Sequence, residues 1–309
     1  MSNIVQNRCR AGSLLVLLWL LSSLGAHAQQ KVQVVTRTLE QRWVCKPNTL
    51  VRIRAEKATL RVQGWDKPIV QVVLRLSARH PDRAVAERDL AAAQYRLQEG
   101  AAAINLVNFF SLPAGAAAVQ SDLRAEYTVM MPAGNHLVAA NTYGHTSLTE
   151  LSGWQQLTQD FGQITLRNLQ GTTTITARYA DLSATDLNAT FTCEANKSAV
   201  QLLRVGGIAT IHNQYGSVHA QPTADLRKLI VDADRTEVVV SAPQPELFTY
   251  QLSVQQGTLL VPDTYPPARH IAGGRATFST PTASPRSVVH VSTTYAPLTL
   301  QTQELVSQP

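Results

Sequence analysis

Asp160, Arg178, Asp181 and His145 are the residues whose types and spacing come closest to a reacting set. Two carboxylates, a base and a guanidinium gathered in one cleft are what the cleavage of a polysaccharide needs. Asp160 and Arg178 stand 18 residues apart, and His145 and Asp181 stand twice that apart. If 18 residues make one turn of a strand stack, His145 and Asp181 share a column about 10 Å apart, too far to cooperate. Asp160 with Arg178, and Asp186 with Arg204 at the same interval, then read as structural ion pairs between neighbouring strands. The sequence therefore assigns no catalytic residue, and a lyase or hydrolase is the alternative rather than the expectation.

Other chemistry is thinner still. There is no P-loop, dinucleotide fingerprint, H-E-x-x-H or G-x-S-x-G, so no cofactor-binding residue is assigned and no cofactor is expected. His80, His136, His145, His212, His219, His270 and His290 form no metal-ligand spacing, and no metal-ligating residue is assigned. His212 and His219 flank Tyr215-Gly216 and read as two histidines on strand faces. Cys193 reads as a small buried hydrophobe, and nothing in its spacing requires a disulfide with Cys45.

The element that must position these residues is a repeat. Tyr143, Phe161, Tyr179, Lys197 and Tyr215 recur every 18 residues, with Gly144, Gly162 and Gly216 following three of them. In the same register stand Thr146, Ile164, Leu182, Val200 and Val218, and also Leu157, Ile175, Cys193, Ile211 and Leu229. A period this short makes each repeat one rung that buries its apolar residues against its neighbours. Segments such as Thr173 to Ala177 alternate apolar and polar residues, the period of a half-buried strand. Eighteen residues are too few for a strand–helix–strand unit of about 30. The expected fold is all-β: a single-stranded β-solenoid, or β-helix, with coils of about 18 residues. Glycines and asparagines such as Gly153, Asn168 and Gly207 are expected at positive φ in its corners. Lys197-Ser198 departs from the aromatic-Gly pattern, which implies an irregular coil or an outward side chain.

Four stretches follow. Residues 1–28 read as a signal peptide: Arg8 and Arg10, an apolar run from Leu14 to Leu24, then Ala26-His27-Ala28. Residues 29–140 form an N-terminal β-rich part and cap, with one helix expected between His80 and Glu99 and ended by Gly100. Residues 141–241 are the regular coils. Residues 242–309 are irregular C-terminal coils and cap, with Tyr250 to Val261 resuming the pattern and Ser287 to Leu300 as a last rung. No later segment is apolar enough to span a bilayer, so an exported, soluble mature chain without a transmembrane segment is expected.

The formal net charge is +6 and falls to +4 without residues 1–28; the basic residues are scattered. With export, that composition argues against a nucleic-acid partner and is compatible with envelope polysaccharide or surface proteins.

Met131-Pro132-Ala133-Gly134, Asn141-Thr142-Tyr143-Gly144, and Phe161-Gly162-Gln163-Ile164-Thr165-Leu166 with Leu169-Gln170-Gly171 resemble the bacterial putative-adhesin β-solenoid family. That family is a domain of unknown function similar to autotransporter-adhesin head domains. Gly64-Trp65-Asp66 before a Val-rich strand resembles it too, so the likeness runs from about residue 40 to 300. It implies a bacterial cell-envelope or surface protein, secreted to the periplasm or beyond, that binds rather than catalyses.

Overall fold

The computed structural model describes residues 32–302, apart from 113, 116, 267, 268, 272 and 281–286; the expected signal peptide lies outside the described residues. The described chain is mostly β, with one α-helix and a large open sheet of 16 strands. The strands are β1 (Gln33–Val44), β2 (Leu50–Glu56), β3 (Ala58–Trp65), β4 (Ile69–His80), β5 (Ala93–Glu99), β6 (Ala103–Phe110), β7 (Asp122–Pro132) and β8 (His136–Thr149). They continue as β9 (Trp154–Asn196), β10 (Ala199–Ser241), β11 (Phe248–Gln255), β12 (Leu259–Leu260), β13 (Arg269–Ile271), β14 (Arg275–Ser279), β15 (Ser287–Thr294) and β16 (Leu298–Gln301).

The central pairing is parallel with a constant offset. Leu137 pairs with Gln155, Thr146 with Ile164, Val200 with Leu182 and Ile211 with Cys193, each 18 residues apart. Buried and exposed residues alternate along each rung. Leu157, Ile175, Cys193 and Ile211 are fully buried and join a single apolar core that runs from Val51 to Leu300. Strands β9 and β10 each run for 43 residues, because the hydrogen-bonded ladder continues through the corners.

Parallel stacking also extends into the N-terminal part. Both β2 and β3 pair in parallel with β8, β7 with β3, and β6 with β2. The outer strands then reverse: β4 adds antiparallel to β7, β1 antiparallel to β4, and β5 antiparallel to β6. At the other end β14 and β13 add antiparallel beyond β11.

Three expectations need correction. The helix is α1 (Arg83–Leu90), not the whole of His80 to Glu99. Asp82 caps it by accepting from Ala84 N, and from Ala93 the chain pairs with β6 instead, because Ile104 and Leu106 of β6 are buried in the core. The rung entered at Tyr215 has 20 residues, not 18. Its cross-rung contacts are His212 with Asp232, Gln214 with Asp234, and Tyr215 with Arg235, so Leu229 is buried but falls two residues short of the Ile211 column. Finally, the C-terminal order is interleaved: β15 and β16 lie directly on β10, while β11 packs on the far side of β15 and β12 on that of β16. The last rung in sequence is thus interior.

Candidate functional site: a corner ladder and the groove beside it

One corner of the stack carries the repeated aromatic position. Tyr143, Phe161, Tyr179, Lys197 and Tyr215 all have φ between 52° and 62°, and Arg235 and Tyr295 continue the column with φ of 47° and 54°. The left-handed conformation costs a non-glycine residue about 1–2 kcal/mol. Contacts along the column offset that cost. Tyr143 stacks on Phe161 at 4.9 Å and Phe161 on Tyr179 at 5.1 Å, close to the spacing of adjacent strands. Lys197 Nζ then lies 4.9 Å over the Tyr179 ring and donates to its hydroxyl at 3.0 Å. The guanidinium of Arg235 lies between Tyr215 and Tyr295, 5.4 Å from each ring centre.

Lys197 is therefore a regular member of the column, a cation in place of a ring. Positive φ belongs to the aromatic residue; Gly144 and Gly216, which follow, are needed for closeness. A Cβ on Gly144 would lie 2.0 Å from Ala58 O, and one on Gly216 2.1 Å from Ser198 O. A second corner repeats the device with Glu150, Asn168, Asp186 and Arg204, all at positive φ. Here the expected Asp186–Arg204 pair forms at 2.6 Å, and its hydrogen bond with the guanidinium lowers the Asp186 pKa.

The residues suggested for catalysis do not come together. Arg178 holds Asp160 in a two-pronged contact at 2.5 and 3.0 Å, on the chain leading into the aromatic corner. His145 and Asp181 lie on the chain leaving it. Gln163, the register partner of His145, occupies the intervening rung. Burial, the nearby positive charge of Arg61 and a hydrogen bond with Gln163 act on His145, with a net lowering of its pKa. Asp181 accepts from Ala199 N at 2.9 Å, so it braces backbone. Among the described residues no cluster of His, Cys, Asp and Glu could hold a metal ion. Cys45 and Cys193 are both free thiols; burial pushes the Cys193 thiol up to about 12.

The feature missed in the sequence is a groove of about 590 Å³ just before the aromatic corner. One bank is the column immediately preceding the corner residues, Arg178, Asn196, Gln214, Asp234 and Thr294. Its side chains are linked: Asn196 Nδ2 donates to Gln214 Oε1 at 3.1 Å, Gln214 Nε2 donates to Asp234 at 3.3 Å, and Thr294 donates to the other Asp234 oxygen. Those bonds, from Thr294 and then Gln214, hold the Asp234 pKa low. The other bank is two residues earlier: Thr176, Glu194, His212, Asp232 and Ser292, with His212 Nδ1 3.6 Å from Asp232 Oδ2. Small or inward residues, Ala177, Ala195 and Ala233, form the floor. Five rungs at the strand spacing make the groove about 19 Å long, running across the strands. Its signal was present as the residues one and three positions before each corner aromatic.

No family model matches the chain, and no curated protein matches it. Among solved structures it is similar to a putative cell adhesion protein from Clostridium sporogenes, with 9% identity and a TM-score of 0.27, covering 86% of this chain and 99% of that one. It is also similar to a putative adhesin from Bacteroides fragilis, with 8% identity and a TM-score of 0.43, covering 85% and 97%. Among the described residues no helix is long and apolar enough to cross a membrane.

Proposed function

We propose that this chain is an exported, non-enzymatic envelope or surface protein, a β-solenoid that binds an extended, uncharged, hydroxyl-rich glycan in the groove beside its aromatic corner. The observation that carries this reading is the groove itself. It crosses five rungs and is banked on both sides by amide, hydroxyl and carboxylate groups at a repeating spacing. A linear polymer of similar repeat meets donors and acceptors on every rung.

Charge narrows the ligand. Glu194, Asp232 and Asp234 face the groove, while its one guanidinium, Arg178, is already held by Asp160. An anionic polysaccharide would meet like charge there. The mild overall positive charge does not collect at this surface. Catalysis is less well supported than binding, because His212 and Asp232 keep about half of their side-chain surface exposed. An open groove leaves water in contact with the carboxylates and builds no shielded acid.

Co-sedimentation of residues 29–309 with washed bacterial envelopes and with their isolated polysaccharides, at low and high salt, tests the reading. Binding to one uncharged polysaccharide that survives high salt, with no release of reducing ends, is the expected result. Loss of all binding at modest salt, or depolymerisation of the glycan, overturns it.

A further inference from the structure

The corner ladder ends in an open ring face, and the geometry points to that face as a stacking subsite for a single uncharged pyranose ring. This deepens the glycan-binding reading and rests on it. Within the column, Phe161 and Tyr179 are covered on both faces, while Tyr215 and Tyr295 share one guanidinium between them. Phe161 lies between two tyrosines, and Tyr179 between Phe161 and Lys197. Stacked rings offer only their edges to a ligand. Tyr143 has Phe161 over one face and no described ring or cation over the other, and it alone of the column's rings lines a described cavity on that side. The residue next in line is Lys57, two positions before Thr59, which pairs with His145. Lys57 also has positive φ, but it turns its ammonium away, over the Phe110 ring at 5.9 Å.

The open face looks into a cavity of about 460 Å³. Lys57, Arg124, Asp122, Glu126 and Thr59 line it around Tyr143, which is 53% exposed. Two cations and two carboxylates leave no net charge, so neither an anion nor a cation is selected. Arg124 donates to Asp122 at 2.9 Å and Glu126 lies 3.9 Å from Arg75, so the charges are partly paired and pointed at the rim. A flat ring face with both donors and acceptors at its rim suits a ligand that is apolar on one side and hydroxylated at its edge. A pyranose has that form.

The test is saturation-transfer NMR of the full mature chain against a panel of methyl pyranosides, both neutral hexosides and an N-acetylhexosaminide, with Tyr143→Ala, Tyr143→Phe and Tyr215→Ala. At least one pyranoside is expected to bind the parent. Tyr143→Ala should weaken it about tenfold, Tyr143→Phe should keep it within about threefold, and Tyr215→Ala should leave it unchanged. Equal binding to the parent and Tyr143→Ala overturns the subsite, as does the absence of binding by every pyranoside to a parent that still sediments with polysaccharide. That second outcome leaves the groove reading standing. A parent that binds methyl pyranosides through Tyr143 but never sediments with polysaccharide overturns the groove reading and keeps the subsite.

Discussion

Two residues, one outside the repeats and one within them, each carry a local constraint that a single substitution exposes. Asp89, at the end of α1, is 2% exposed. Burial works against its ionisation. Hydrogen bonds from the backbone N–H of Gln120, from Arg88, and from the hydroxyl and backbone N–H of Ser121 outweigh that and lower its pKa to about 2. They tie the helix to the segment entering β7. A carboxylate depressed in the folded state contributes stability above its unfolded pKa of about 3.9. That contribution falls away as the pH drops toward 2. Urea denaturation should therefore show the parent more stable than Asp89→Asn by roughly 2 kcal/mol at pH 5, with the gap shrinking between pH 4 and pH 2. A gap that does not change with pH would show that Asp89 is not ionised against these donors. At Gly162, φ is +117° and a Cβ would lie 1.9 Å from Gly144 O, while a Cβ on Gly134 meets nothing within 4 Å. Thermal unfolding should find Gly162→Ala destabilised by at least about 2 kcal/mol, and Gly134→Ala within about 0.5 kcal/mol of the parent.

At the scale of elements, the interleaved C-terminus is the least expected feature. Because β15 and β16 lie between β10 and the strands β11 and β12, residues 287–301 are not a fraying end. They place Val289, Val291, Leu298 and Leu300 in the core. Ending the chain at residue 286 should cost several kcal/mol and leave residues 248–280 open to limited proteolysis. A truncated chain with parental stability would contradict this pairing. The sequence shows the central rungs well because identical offsets repeat there: Ile164, Ile175 and Cys193 fall on buried columns where the 18-residue register puts them. It shows less where one tertiary contact decides. Alanines and arginines between His80 and Glu99 favour a helix locally, yet Ala93–Glu99 pairs with β6 because that strand needs a neighbour. The two extra residues before Val231 leave no local mark, and only the cross-rung contacts of His212, Gln214 and Tyr215 reveal them. Glycines and asparagines suggested positive φ at the corners, which Asn168 and Gly207 have and Gly153 does not; a Cβ on Gly153 would instead lie 2.4 Å from Asn135 O.

For the molecule as a whole, both ends of the parallel stack finish in antiparallel strands, β4 with β1 at one end and β14 with β13 at the other. Unlike rungs at the two ends give a second molecule no matching register to continue, so the long sides are the surfaces left for binding. Of those sides, the one before the aromatic corner has the groove. The sequence contained every residue of the groove's banks, but as pairs one and three positions before Tyr179, Lys197, Tyr215, Arg235 and Tyr295, where no single residue looks functional. Only stacking turns Glu194 and His212, or Asn196 and Gln214, into the banks of one channel. The direct test of the central claim is high-salt binding of an uncharged envelope polysaccharide by the parent, by Glu194→Ala with His212→Ala, and by a control, Thr165→Ala with Ser183→Ala, on the chain leaving the corner. Loss of about tenfold or more in the groove variant alone, with parental thermal stability in all three, is the predicted result. Parental binding by the groove variant, or equal loss in the control, would contradict it.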